Sequence, residues 1–247
     1  MTMDEFSLVC EKLSGVSEYL YLHVMGEPLT HPLLCDFVRY ATEKGFKVAI
    51  TTNGTLLDKC GDALIAAGVY KVNISLHSFE FGEDDKHSSY VQKFLNFADI
   101  SSKSGVLTVL RLWNGGVSDT KNEETLSLLH KKFPGQWHLG SRGARIRDKL
   151  HLEYGERFVW PDIDSENIGC ALFCHGLGDH FGILSDGTVI PCCLDSDGVI
   201  DLGNVYTENI EEILSSERAK NIKNGFQNKT AVEELCQRCP YARRFKI

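Results

Sequence analysis

The chain has 247 residues and a formal net charge of −8, and 43% of its residues are hydrophobic. No apolar run approaches the length of a membrane span, which argues against a transmembrane anchor, and the acidic balance argues against sequence-independent binding of nucleic acid. The N-terminus, MTMDEFSLVCEKL, lacks the basic and apolar regions of a secretory signal, so we expect a cytoplasmic protein.

The first predicted element is a helix. Thr2 and Glu5 form a capping-box pattern ahead of an amphipathic stretch, which predicts a helix over 3–13. A parallel α/β sheet normally opens with a strand that feeds such a crossover helix. We therefore expect that the first strand of the sheet would lie upstream of Met1 and is missing from this sequence.

Short β-rich runs then alternate with amphipathic helical stretches, a pattern typical of βαβ units around a parallel sheet. Strands are predicted over 19–24, 47–52, 70–76 and 107–113, with a weaker fifth near 149–154. Helices are predicted over 33–44, 57–67, 86–103 and 121–132, each close to the length that a crossover needs.

After Pro161 the sequence changes to Gly-rich turns and short elements. FGILSDGTVIPCC predicts a hairpin with Asp186-Gly187 at its turn, because this dipeptide suits the positive backbone angles of a tight turn. Two helical stretches follow, over about 208–214 and 216–224. We place the domain boundary here, with residues 1–164 in the α/β domain and residues 165–247 in a small Cys-rich domain.

The last third contains six of the nine cysteines. Four of them, Cys174, Cys192, Cys236 and Cys239, form a two-plus-two arrangement in which a hairpin and a tail loop could converge. Four thiolates suit an iron-sulfur cluster or a structural zinc, and ligand type alone does not separate the two. We treat the two remaining cysteines, Cys170 and Cys193, as spare or packing residues.

A second candidate site follows the first predicted strand, in the segment HVMGEPLTHP. Ligands of α/β sheets bind at the carboxyl ends of strands, where Glu27 could accept hydrogen bonds from an amine and Gly26 would allow close approach of a ligand. The alternative is a strand-to-helix turn, which explains Gly26 and the prolines but not Glu27.

The next strand ends carry further polar side chains. Thr51-Thr52-Asn53-Gly54 ends the second strand and Ser75-Leu76-His77-Ser78 ends the third, and both offer groups to a sugar or a carboxylate. Arg111 lies inside an otherwise apolar strand and needs an anionic partner. That partner is either a ligand carboxylate or an internal Glu or Asp.

GEPLTHP, TTNGTLL, ISLHS and LRLW, in this order, resemble successive strands of the radical S-adenosylmethionine (SAM) superfamily. The segment from CHGLGDH to CQRC resembles the SPASM or shorter twitch domain of many such enzymes. The resemblance covers nearly the whole chain. It implies a partial (β/α)6 TIM-like barrel that lacks its first strand, followed by the SPASM/twitch domain.

The resemblance also implies roles for individual residues. Gly26, Glu27 and Pro28 match the segment that holds the methionyl amino group of SAM, and Asn53, Ser75 and Arg111 are candidates for ribose and carboxylate contacts. Four cysteines match ligands of one auxiliary 4Fe-4S cluster: Cys174, Cys192, Cys236 and Cys239.

One departure from the family concerns the catalytic cluster. Members carry Cys-x-x-x-Cys-x-x-Cys after the first strand, and residues 1–247 contain no such spacing. We therefore expect an enzyme whose intact form modifies a peptide or protein by radical chemistry, while this chain alone binds SAM weakly or not at all and is inactive. The alternative is a degenerate, non-catalytic binding protein with a structural metal site of four cysteines.

Overall fold

The computed structural model describes residues 1–79, 84–117 and 121–245, which form two compact units. We call Ser17–Arg157 the sheet unit. The cysteine unit combines Met1–Val16 with Phe158–Ile247, so it is built from both ends of the chain.

The sheet unit contains a seven-stranded mixed sheet with the order β1-β2-β3-β4-β7-β6-β5. The first four strands and β7 are parallel, and β5 and β6 form an antiparallel hairpin at the edge beyond β7. The sheet is open rather than closed into a barrel in the part of the chain described. The strands are β1 (Tyr19–Tyr21), β2 (Lys47–Thr52), β3 (Lys71–Ser75), β4 (Leu107–Gly115), β5 (His138–Gly140), β6 (Gly143–Arg147) and β7 (Leu150–Glu156).

Helices connect the parallel strands of this sheet. They are α2 (Leu34–Glu43), α3 (Leu57–Ala66), α4 (Asp84–Lys103) and α5 (Asn122–Lys132), with 3-10 turns over Pro28–Thr30 and Leu76–Phe79. Because β-strand side chains alternate between faces, one face of β2, β3 and β4 presents Val48, Ile50, Val72, Ile74 and Leu110, none of them more than 1% exposed. No helix within the described ranges is long and apolar enough to cross a membrane.

The opposite face of the sheet is polar. Strand register places Ser75, Arg111 and Glu153 side by side, and Asn73, Val109 and His151 form the neighbouring row. We call this surface the polar face and define it by Lys71, Asn73, Ser75, Arg111, His151 and Glu153. It is the surface on which the candidate ligand-binding side chains of β3, β4 and β7 lie.

The predicted strands and helices of this unit are confirmed, with small shifts at their ends. The sequence did not predict the β5–β6 hairpin. Strand β5 has only three residues, all of them exposed, with Leu139 86% exposed, and the apolar alternation of β6 is limited to Ala144 and Ile146, which is too short to predict a strand. Gly143 closes the hairpin at φ +153, where an added Cβ would overlap the Leu152 carbonyl oxygen.

The cysteine unit is made of short elements. These are α1 (Met3–Leu13), β8 (Gly182–Ile183), β9 (Val189–Ile190), α6 (Ile210–Leu214) and α7 (Glu217–Gln227), with 3-10 turns over Cys236–Arg238 and Pro240–Arg244. The hairpin turn at Asp186-Gly187 is confirmed: Gly187 adopts φ +89, and the Asp186 carboxylate accepts a hydrogen bond from the Thr188 backbone N–H at 3.0 Å.

Helix α1 has the predicted capping box, in which the Thr2 hydroxyl accepts from the Glu5 backbone N–H at 3.3 Å. Its packing differs from the expected crossover within a domain of residues 1–164. The Lys12 ammonium donates to the backbone carbonyls of Val205 at 2.5 Å and Glu208 at 2.8 Å, within the cysteine unit. A local pattern predicts that a helix forms but does not identify its partner, so the sequence could not predict this contact.

Candidate functional site

The Glu27 carboxylate links the loop after β1 to the end of β2. Its Oε1 accepts hydrogen bonds from the Leu29 backbone N–H at 3.0 Å and the Thr52 hydroxyl at 2.6 Å, and its Oε2 accepts from the Asn53 backbone N–H at 2.7 Å. Gly26 adopts φ +85 just before it, a conformation that favours glycine. Three donors therefore fix one acidic group at the carboxyl end of the sheet.

A tyrosine fixes the adjacent ends of β2 and β3. The Tyr90 hydroxyl donates to the Asn53 carbonyl at 2.6 Å and lies 3.3 Å from the Ser75 carbonyl. Burial, and then the nearby Glu27 carboxylate, raise the pKa of Tyr90 far above its usual value, so this hydroxyl keeps its proton. The structure thus brings the predicted residues Glu27, Asn53 and Ser75 to one edge of the sheet.

Arg111 has an internal partner. Its Nε lies 3.4 Å from Glu153 Oε2 on the neighbouring strand, and its guanidinium lies 4.5 Å from the ring centroid of Trp113. Gly155 leaves room for this indole, because an added Cβ would lie 2.7 Å from Trp113 Cδ1. Of the two alternatives for Arg111, the internal acid is therefore present, and a ligand contact remains a prediction.

Two other basic side chains near Arg111, His23 and Lys71, have lowered pKa values. Burial, followed by the charges of Arg111 and Lys71, lowers the pKa of His23 to about 4, so its imidazole is neutral at neutral pH. Its Nδ1 is buried without a hydrogen-bond partner in the described part of the chain. Burial also lowers the pKa of Lys71, with Arg111 adding to the shift and Glu153 opposing it.

The four predicted cluster ligands line one cavity of the cysteine unit. The rest of its wall is largely apolar and includes Phe226, Leu235 and Ile200. Burial raises the pKa of all four thiols, that of Cys192 to about 12, and neighbouring cysteines add to the shift for Cys192, Cys236 and Cys239. The cavity is lined by Cys174, Cys192, Cys236 and Cys239.

This donor set fits an iron-sulfur cluster. Within residues 1–79, 84–117 and 121–245, no three His, Cys, Asp or Glu side chains lie close enough to hold a single metal ion. Four converging thiols are the usual ligand set of an iron-sulfur cluster, and the same ligand type also binds structural zinc. Cys193 does not line the cavity, and Cys170 is exposed.

The comparisons with known proteins agree with this geometry. Residues 174–240 match the SPASM family, described as an iron-sulfur cluster-binding domain. An AdoMet-dependent heme synthase from Methanosarcina barkeri is 34% identical over 77 residues, and a GTP 3',8-cyclase from Chlorobaculum tepidum is 41% identical over 78 residues. These alignments cover 31% of this chain and only 22% and 24% of the two relatives.

Alignments that cover more of the chain have lower sequence identity. A probable GTP 3',8-cyclase from Methanococcus vannielii is 26% identical, with 81% of this chain and 76% of that protein covered. The solved structure of BtrN in complex with AdoMet and 2-DOIA is 19% identical and has a TM-score of 0.58, with 97% of this chain and 80% of BtrN covered. That likeness shows a shared fold.

Together these similarities support a radical SAM protein with a SPASM domain, as the sequence motifs and the cysteine pattern predicted. The iron-sulfur cluster-binding domain is matched directly, over residues 174–240. The number of clusters that the radical SAM/SPASM protein binds, and the residues that hold them, remain predictions.

Sequence reasoning missed several side chains of this radical SAM/SPASM protein. It did not single out Thr52 as the partner of Glu27, nor Tyr90, because neither lies in a motif that names its contact. The sequence predicted an internal Glu or Asp as one possible partner of Arg111 but did not identify it as Glu153. A usable signal existed in β3, where Lys71, Asn73 and Ser75 alternate with apolar residues and so predict a polar strand face.

Proposed function

We propose that the intact form of this protein acts in the radical-based modification of a peptide or protein, and that residues 1–247 hold one auxiliary 4Fe-4S cluster. The observation that carries the proposed cluster is the convergence of four thiols on a single cavity with largely apolar walls. Burial disfavours the free thiolate of each cysteine, and bonding to iron would offset that cost. The proposed ligands are Cys174, Cys192, Cys236 and Cys239.

Gly26, Glu27 and Pro28 are the proposed site for the methionyl amino group of SAM. The Glu27 carboxylate is already oriented by Leu29, Thr52 and Asn53, so little conformational freedom is lost when it accepts from an ammonium group. In the intact form, SAM held here would supply the chemistry of hydrogen-atom abstraction from the substrate. We propose further contacts to the ribose or carboxylate from Asn53, Ser75 and Arg111.

A polypeptide limited to residues 1–247 is proposed to be inactive. It contains no Cys-x-x-x-Cys-x-x-Cys segment to hold the cluster that reduces SAM. A peptide or protein is proposed as substrate because family members with a SPASM domain commonly modify such chains. Incubation of the reconstituted polypeptide with SAM and a strong reductant should yield no 5'-deoxyadenosine, and its formation would refute the proposed inactivity.

Metal content tests the auxiliary cluster. Protein purified without oxygen and reconstituted with iron and sulfide should contain about four irons per chain and show a broad absorbance that bleaches on reduction. Cys192→Ser should lose most of that iron, whereas Cys170→Ser, at an exposed cysteine outside the cavity, should retain it.

The opposite result favours the second candidate function. One zinc per chain and no colour would make the cavity a structural four-cysteine site, as in a non-catalytic binding protein. Equal iron loss in Cys170→Ser and Cys192→Ser would contradict the proposed ligand set while leaving the family assignment intact.

A further inference from the structure

A cavity of about 490 Å³ opens on the polar face between β4, β7 and the β5–β6 hairpin. None of the residues proposed to bind SAM or the auxiliary cluster lines it, and it lies wholly within the sheet unit. Its wall includes His138, Arg142, Arg145, His151 and Glu153. Four of these five side chains are basic or can become so.

Three of the basic groups form one row across the sheet. His138 pairs with Arg145 between β5 and β6, and Arg145 pairs with His151 between β6 and β7. Residues directly opposite each other in antiparallel strands project from the same face, so the three side chains are neighbours. Arg142 lies in the two-residue turn that joins β5 to β6.

The cations around this cavity outnumber the acids. Arg142 and Arg145 have no ion-pair partner among the described residues, and Lys71 on β3 has none either. The nearest acids are Glu153, which contacts Arg111 at 3.4 Å, and Asp148, whose charge acts on His151.

His151 and Lys71 are half-buried, and nearby positive charges disfavour their protonated forms. Burial, followed by the charge of Arg145, lowers the pKa of His151 despite the opposing effect of Asp148. Lys71 is likewise affected by the charge of Arg111, which opposes its protonation. Like charges gathered on a partly desolvated face raise the free energy of the unliganded protein, and a bound anion offsets that cost.

We propose that this cavity binds an anionic group of the substrate, a carboxylate or a phosphate, through Arg142 and Arg145, which both line it. The two arginines offer forked donors that match the oxygens of either group, and Lys71, outside the lining, adds a positive charge that acts on His151 of the cavity wall. The inference rests on the proposed function in one respect, that the anion belongs to the substrate. Anion binding itself requires neither a cluster nor SAM.

Calorimetric titration of the full chain at constant ionic strength tests the site. The two probes are inorganic pyrophosphate and a triglutamate peptide, which separate a phosphate source from a carboxylate source. At least one should bind saturably, and the double variant Arg142→Gln/Arg145→Gln should bind it about 100-fold more weakly, about tenfold for each charge removed. Arg145 is exposed, so its substitution leaves the fold intact.

Lys131→Gln is the matched control, because Lys131 is an exposed cation on α5 outside the cavity. It should bind the probe as the parent does.

A second variant, Arg142→Gln, removes a turn residue and should weaken binding without changing thermal stability. Saturable binding lost in these variants but retained in Lys131→Gln supports the site. Absence of binding by both probes, or equal binding by the parent and the double variant, overturns it and leaves the iron and deoxyadenosine tests unaffected.

Discussion

The Thr52 hydroxyl donates to Glu27 Oε1 at 2.6 Å, and this bond joins the last residue of β2 to the loop that follows β1. A hydrogen bond to a charged acceptor is stronger than one between neutral groups. The bond from Thr52 also orients the Glu27 carboxylate toward a ligand. The connection between the two strand ends and the proposed site for the SAM amino group therefore depend on the same contact.

Glu27→Gln should destabilise the sheet unit by about 1–3 kcal/mol, because its amide cannot accept from all three of the present donors. Urea unfolding measures this change. Glu18→Gln is the control, since it removes only the exposed ion pair with Lys47 and should be nearly neutral. Equal costs for the two variants would show that the carboxylate is not held as the structure has it.

The hairpin beyond β7 depends on Gly143. Gly143→Ala should lower the free energy of unfolding by about 2–4 kcal/mol, because the added methyl overlaps the Leu152 carbonyl and the residue has φ +153. Gly140→Ala is matched to it in the same hairpin, where the nearest atom to an added Cβ is 3.8 Å away. This control should change stability by less than about 1 kcal/mol, and a comparable loss in both variants would contradict the register of β6.

Acid should weaken the fold through His23. The pKa of the folded form lies near 4 against 6.5 for the free side chain, so the unfolded chain binds more protons between these values. The free energy of unfolding should therefore fall as the pH drops from about 6.5 to about 4, by roughly 1–3 kcal/mol from this residue, and change no further through it below that range.

Comparison with His23→Asn isolates this contribution, because the other titrating groups are shared. The variant should have a flatter pH dependence over the same interval, as measured by denaturant unfolding at several pH values. His138→Asn, at an exposed histidine, controls for removal of any imidazole. Parallel curves for the parent and His23→Asn would show that His23 titrates as it does in the unfolded chain.

A buried carboxylate organises the loop beside the cysteine cavity. Asp195 is 2% exposed and accepts from the backbone N–H groups of Val199 and Ile200, each at 2.8 Å. Asp195→Asn leaves one of these donors unpaired and should cost about 1–3 kcal/mol in thermal or denaturant unfolding. Asp197→Asn, at the exposed acid two residues on, should be nearly neutral, and a neutral Asp195→Asn would argue against this loop conformation.

The sequence predicted the parallel strands because apolar periodicity is a local property that each strand carries by itself. The sequence also predicted that Glu27, Asn53 and Ser75 lie near one another, since the carboxyl ends of parallel strands share one edge of the sheet. It could not supply the partner of α1 or the β5–β6 hairpin. The partner of α1 depends on contacts between distant segments, such as Lys12 with Val205. The hairpin pairs an exposed three-residue strand, β5, with β6, whose apolar alternation is only two residues long.

The union of both chain ends in the cysteine unit determines the order in which the protein can fold. Lys12 and its carbonyl partner on Val205 are separated by 193 positions, whereas each βαβ step of the sheet closes over a far shorter stretch. During synthesis the sheet unit can be completed once Arg157 has left the ribosome, but α1 finds these partners only after Val205 and Glu208 have followed. Until then the apolar side of α1 lacks its contacts with the cysteine unit, and such transiently exposed apolar surface favours aggregation.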